Sequence, residues 1–204
     1  MRHVMSTEII DFREIYKSDV EMVSVTRENL QELEPLAQEL VTSRNIAEMC
    51  WEQAAISASD PLRSVQHSMP PELKEALSKE VALASNVLNE LLGCSSIGVR
   101  MATLSEPMCP RFHVDQVPCR LLTTITGPAT EWIASEDVIK SVLADTATAE
   151  LPVRSGGKLR QLPGGCWSLL KGGSWQDEFQ GVVHRSPHQE GERLLISFDP
   201  IFSK

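Results

Sequence analysis

Residues 109–115 read Cys109-Pro110-Arg111-Phe112-His113-Val114-Asp115. In an extended strand successive side chains point to opposite faces, so His113 and Asp115 project together while Phe112 and Val114 take the other side. A second imidazole, His184, stands far downstream in Val183-His184-Arg185, on another β-forming run. Two histidines and a carboxylate brought to one point form the facial triad that suits non-haem Fe(II), because open coordination positions remain. Arg193 follows on the next β-like run. Its guanidinium is permanently charged and its planar fork matches a carboxylate bidentately, so it is the candidate clamp for a carboxylate-bearing cosubstrate. Ser197 or Thr124 is the candidate source of a further hydroxyl, depending on which strand faces inward.

Working outward, the hydrophobic pattern changes near residue 96. Upstream, Val20–Val25 reads as a strand, and Thr26-Arg27-Glu28-Asn29 opens a helix over 28–42, with Leu30, Leu33, Leu36, Ala37 and Leu40 at helical spacing. A second helix is expected over 46–56, ended by Ser57-Ala58-Ser59-Asp60-Pro61. A third follows Met69-Pro70-Pro71-Glu72. Its stripe of Leu73, Ala76, Leu77, Val81, Ala84, Val87, Leu88 and Leu91 stops at Gly93. That stripe is expected to cover a sheet, a partner interface being the alternative.

From residue 96 onward, short β-branched runs bounded by Gly and Pro predict strands near 96–104, 111–116, 119–126, 166–171, 180–185 and 192–199. A short helix is expected around 136–143, and turns at 155–158 and 162–165. The fold class is α+β: a double-stranded β-helix (jelly-roll, cupin-like) core over 96–204, with a helical N-terminal part, 1–95, packed on it in one compact domain.

Bulk properties narrow the function classes. Of 204 residues, 42% are hydrophobic and 23% charged, ordinary for a soluble globular protein. The net charge of −9 argues against nucleic acid as partner, since phosphate binding needs a basic stripe. Arg154, Lys158 and Arg160 read as a solvated turn. No apolar run spans a bilayer and the N-terminus has no apolar signal core, which predicts no membrane partner and a cytoplasmic location. Cys50, Cys94, Cys109, Cys119 and Cys166 form an odd, scattered set, expected to stay reduced.

Other readings of the same residues stay open. Cys109 and Cys119 flank the His113/Asp115 pair and offer thiolates for zinc, although no CxxC spacing supports a closed structural site. Arg120 falls on the opposite strand face from Asp115 unless Pro118 breaks the strand; if it does, Arg120 re-enters the pocket to touch a ligand residue or substrate. Trp132, in Gly127-Pro128-Ala129-Thr130-Glu131-Trp132, is a core anchor or a substrate-stacking ring at the rim. His188 sits at a strand end beyond Pro187, and His3 and His67 are expected to be exposed. No GxSxG elbow, P-loop or GxGxxG is present.

Taken in order, Cys109–Asp115, Arg120–Trp132, Leu170-Lys171-Gly172 with Trp175, Val183–Pro187 and Arg193–Asp199 resemble the bacterial domain-of-unknown-function family 1826. The likeness covers most of the chain and is strongest from about residue 96. Members of that family are often encoded near zinc-responsive genes and metallochaperone-like GTPases, which implies a partner protein in metal homeostasis. The motif order is also similar to that of the Fe(II)/2-oxoglutarate-dependent dioxygenases. By that resemblance His113, Asp115 and His184 match the metal ligands and Arg193 the 2-oxoglutarate clamp. Leu195 departs from the pattern, standing where many dioxygenases carry a hydroxyl residue. The expectation is therefore a non-haem Fe(II)/2-oxoglutarate-dependent oxygenase acting on an unidentified substrate. The alternatives are a non-catalytic zinc- or iron-binding accessory protein in metal homeostasis, and a jelly-roll module that has lost its metal.

Overall fold

In a computed structural model, which describes residues 1–43, 48–55, 69–175, 180–188 and 191–203, the chain is a mixed α+β structure built on one large sheet. Its strands are β1 (Arg2–Ser6), β2 (Val20–Val25), β3 (Glu48–Ala54), β4 (Ser96–Leu104), β5 (Cys119–Thr126), β6 (Glu131–Ile133), β7 (Leu159–Gln161), β8 (Trp167–Lys171), β9 (Val183–Arg185) and β10 (Arg193–Ile201). Seven form the major sheet in the order β1-β2-β8-β5-β10-β4-β3, and three form a minor sheet, β7-β6-β9. The helices are α1 (Leu30–Ser43), α2 (Pro71–Leu92) and the short α3 (Lys140–Ala144), with 3-10 turns at Ile9–Tyr16 and Ser135–Asp137.

Alternation along the major strands sorts their side chains into two layers. Val23, Leu121, Ile125, Leu169, Leu194, Ile196 and Phe198 meet Leu33, Ala37 and Leu40 of α1 and Leu73, Leu77, Val81 and Leu88 of α2 in the principal core. The stripe read from α2 thus covers the sheet, and Gly93 ends that helix in the left-handed conformation its missing Cβ permits. Met22, Leu122, Leu170 and Leu195 point the other way and join Trp132, Ala134 and Val182 of the minor-sheet region in a second cluster between the sheets. Replacing Leu77, fully buried in the first cluster, by alanine is expected to cost about 2–5 kcal/mol, through lost burial plus the cavity left behind. Urea unfolding should show a lower midpoint at an unchanged slope.

Two expected elements are corrected. The run 46–56, taken as a helix, is strand β3 where it is described. Its burial alternates, with Met49, Trp51 and Gln53 half-buried between exposed Glu48, Cys50, Glu52 and Ala54, and it pairs antiparallel with β4. Residues 46, 47, 56 and the breaker run Ser57–Pro61 lie outside the described residues, as does His67. The strand near 111–116 shrinks to one antiparallel bridge, His113 with His184. Pro110 and Pro118 bracket it, and neither can donate to a ladder. Strands β1, β2 and β3 all precede residue 96, so the N-terminal part extends the sheet as well as covering it.

Candidate metal centre

The bridge at His113 is what builds the site. His113 and His184 exchange both main-chain hydrogen bonds at 3.0 Å, so their side chains stand side by side, with ring centroids 4.6 Å apart. Asp115 lies two residues on, and main-chain bonds tie its segment to the 172–174 turn: Gly173 N–H donates to Asp115 O at 2.7 Å and Gly172 N–H to Pro118 O at 2.8 Å. A Cβ at Gly172 would stand 1.9 Å from Val117 O, so only glycine lets these segments close up.

Each imidazole turns Nδ1 toward a carbonyl, His113 to Arg111 O at 2.9 Å and His184 to Val182 O at 3.0 Å. A carbonyl only accepts, so the proton sits on Nδ1 and Nε2 presents a bare lone pair. Both Nε2 atoms face Asp115: His113 Nε2 is 3.7 Å from Oδ1 and His184 Nε2 is 3.3 Å from Oδ2. One ligand atom from each residue falls within 4.8 Å of the others, the only such group among the described residues. Asp115 Oδ2 is buried and makes no hydrogen bond among the described residues. Three electron-pair donors turned on one another with no proton between them repel, and a cation at their centre removes that repulsion. The side chains fit a metal, and the carbonyls behind both rings fix ring orientation as outer partners of metal-bound histidines do.

Electrostatics keep His113 and Asp115 in forms that could bind a cation. Burial, and then His184, push the His113 imidazolium to a lower pKa, against the Arg111 carbonyl and Asp115, so the ring is neutral at neutral pH. Burial alone would raise the Asp115 carboxyl, but the charges around it, the Arg120 guanidinium at 2.7 Å among them, outweigh burial and hold the group below its ordinary value. Arg120 donates from Nη1 to Asp115 Oδ1 at 2.7 Å and from Nε and Nη2 to both oxygens of Asp199 at 2.7 Å. Burial would lower its own pKa, yet Asp199 and Asp115 outweigh that and raise it. Arg120 thus occupies one Asp115 oxygen and leaves the other bare.

Arg193 is 4% exposed on the inter-sheet side of β10. Its Nη2 donates to Ser186 Oγ at 3.1 Å and its Nη1 to Pro128 O at 3.4 Å, and no carboxylate pairs with it among the described residues. Burial brings its pKa down to about 10, so it remains a cation at neutral pH. Thr124 pairs with Leu195, and its hydroxyl is buried without a partner on the same face; Ser197 shares that face.

The other candidates separate. Neither cysteine joins the donor group: Cys119 is buried on the helix-facing side of β5, where burial raises its thiol pKa, and Cys109 is exposed, with its main chain clasped to Ser186. Trp132 is an anchor between the sheets, capped by the Arg160 guanidinium at 5.3 Å. His188 turns Nε2 to Pro110 O at 3.2 Å. His3, expected to be exposed, is half-buried, bonded to Ser24 Oγ at 2.8 Å and edge-on to Trp132. The grip of Asp199 on Arg120 has no local signal in the sequence. That contact depends on the register of β10 against β5, which brings Phe198 beside Leu121 and so Asp199 beside Arg120.

Comparison with known proteins places this geometry in context. The family described as "Protein of unknown function (DUF1826)" matches residues 6–199. No curated protein matches the chain. Among solved structures, a dioxygenase for auxin oxidation from rice is similar with a TM-score of 0.58 at 14% identity, covering 98% of this chain and 83% of that one. A prolyl-4-hydroxylase from Pseudomonas putida gives 0.54 at 10% identity, covering 96% and 93%. JOX2, solved in complex with 2OG, Fe and JA, gives 0.55 at 10% identity, covering 99% and 75%. At these identities the shared property is the fold.

Proposed function

The chain belongs to the DUF1826 family, and from the geometry of its metal centre we propose that it is a non-haem Fe(II)/2-oxoglutarate-dependent oxygenase whose two sheets form a double-stranded β-helix. The observation that carries this reading is a pair of unmet electrostatic needs, one at Asp115 and one at Arg193. Asp115 Oδ2 is buried, bare and flanked by two Nε2 lone pairs, which calls for a cation. Arg193 is buried with no carboxylate partner among the described residues, which calls for an anion. A 2-oxo acid chelated to a metal answers both at once. It is also the cosubstrate named in a similar structure that holds 2OG and Fe.

His113, Asp115 and His184 would hold Fe(II), which when bound supplies activation of dioxygen with the 2-oxo acid as electron source. The rest falls to the chain. Arg193 binds the far carboxylate, and the Thr124 hydroxyl is placed to add a hydrogen bond. Arg120, locked by Asp199, holds Asp115 through one oxygen so that the carboxylate presents only the other. Trp132 and Leu195 keep the inter-sheet space closed to bulk water.

The test is anaerobic loading with Fe(II) and 2-oxoglutarate, followed by exposure to oxygen and measurement of succinate. One metal per chain and a slow, 2-oxoglutarate-dependent release of succinate are expected even without the primary substrate. Metal-loaded protein that neither binds 2-oxoglutarate nor forms succinate would overturn the reading.

A further inference from the structure

The inter-sheet face of the major sheet is covered by the minor sheet over β2, β8 and β5, but at the β10-β4-β3 corner it opens into a cavity of about 320 Å³. Register assigns the side chains there. Ser197, Arg100 and Cys50 lie opposite one another across three strands, and Asp199, Gly98 and Glu52 form the next row. Arg120 completes the wall, so the guanidinium that grips Asp115 also borders this cavity. Trp51 and Val99, whose side chains pack toward the helix-facing core, also border the cavity.

The charged groups at the cavity are therefore of both signs, beside an apolar part of the lining from Trp51 and Val99. Asp199 accepts from Arg120 along one edge yet remains 31% exposed, with lone pairs to spare. Glu48, at 3.1 Å, the Met108 sulfur and the Cys50 thiol engage the Arg100 guanidinium, whose side chain is nonetheless 46% exposed. The Ser197 hydroxyl has no hydrogen-bond partner among the described residues. Asp199 and Arg100 are diagonal neighbours on adjacent strands, a relation that sets their side-chain bases roughly 7–8 Å apart. An ammonium and a carboxylate on one carbon match this juxtaposition of a carboxylate and a guanidinium, with one charge-assisted hydrogen bond to each.

We propose that this open corner, formed by Cys50, Gly98, Arg100, Arg120, Ser197 and Asp199, is the primary-substrate pocket and takes a free α-amino acid, ammonium to Asp199 and carboxylate to Arg100. The proposal rests on the oxygenase reading for its role, though not for the binding itself. Bound this way, the substrate side chain extends along Arg120 toward the metal centre.

Gly98 supplies the decisive variant. A Cβ there would meet Ile201 Cδ1 at 3.6 Å and Asp199 O at 3.8 Å, ordinary contacts, so a side chain can start from the cavity floor without a clash at its base. Metal-free full-length protein would be mixed with a pool of the twenty standard amino acids and followed by saturation-transfer NMR. One or a few amino acids should show transfer, and their affinity should fall at least tenfold in Gly98→Leu and in Arg100→Gln. Gly98→Ala should lose less. All three variants should keep wild-type affinity for Co(II) and 2-oxoglutarate. No transfer from any amino acid to the wild type, or transfer undiminished in Gly98→Leu, would overturn the proposal. Amino acid binding without succinate formation would retain the pocket and remove the oxygenase reading; succinate formation without amino acid binding would do the reverse.

Discussion

Replacing His184 by alanine should empty the metal centre, lowering affinity for Co(II), a spectroscopic stand-in for Fe(II), by at least about a hundredfold. Loss of an outer partner of a metal-bound histidine already costs about 10–100-fold, and removal of a ligand atom itself should exceed that. His184 is the more telling of the two histidines because it is buried and its strand pairs on both sides, with β6 and with His113, so no neighbouring side chain can move in to replace it. The fold should survive, since the lost ring lies outside the principal core. Thermal unfolding with and without metal gives the readout. Metal at about a hundred times its dissociation constant stabilises the wild type by about 2.7 kcal/mol, and this increment should vanish in His184→Ala while the metal-free midpoint moves little. If His184→Ala bound Co(II) as tightly as the wild type, the triad would not be the metal site.

How far the sequence revealed this centre depends on the range of the interactions involved. The His113–Asp115 pair was legible because a period of two is a local property of extended chain, and it holds even where the strand shrinks to one bridge. Helices α1 and α2 were legible for the matching reason, since their apolar residues recur at 3.6 over several turns. Strand β3 was misread because a seven-residue run with Met49, Cys50 and Ala54 satisfies either period, and only pairing with β4 decides between them. Strands β6 and β7 have three residues each, too few to carry any period. Arg120 was left undecided by its odd spacing from Asp115. What turns it inward is the break between Asp115 and β5 together with the acid that receives it, and Asp199 comes from the far end of the chain. Contacts of that kind are set by sheet register, which a linear reading does not contain.

Arg193→Met should separate cosubstrate from metal. The guanidinium is buried among a hydroxyl and a carbonyl, with no counter-charge among the described residues, so a bound carboxylate would meet a desolvated cation of fixed orientation. Truncating one partner of such a buried charge pair typically costs about 2–5 kcal/mol, or roughly 30-fold to several thousandfold in the dissociation constant of 2-oxoglutarate. Affinity for Co(II) should stay within about threefold, since Arg193 touches none of the three ligands. Arg193→Lys should fall between, because an ammonium restores charge but not the bidentate fork. Thr124→Val should cost less, about the worth of one hydrogen bond, near 1 kcal/mol. The same burial predicts an opposite effect on stability. An unpaired interior charge opposes folding, so the metal-free Arg193→Met protein should unfold at a higher urea concentration than the wild type while binding 2-oxoglutarate far more weakly. A residue kept for packing would show the reverse, with stability lost and cosubstrate affinity intact. Isothermal titration with 2-oxoglutarate alongside urea unfolding distinguishes the two, and a stabilised variant with unchanged 2-oxoglutarate affinity would leave the buried cation in place but place the cosubstrate elsewhere.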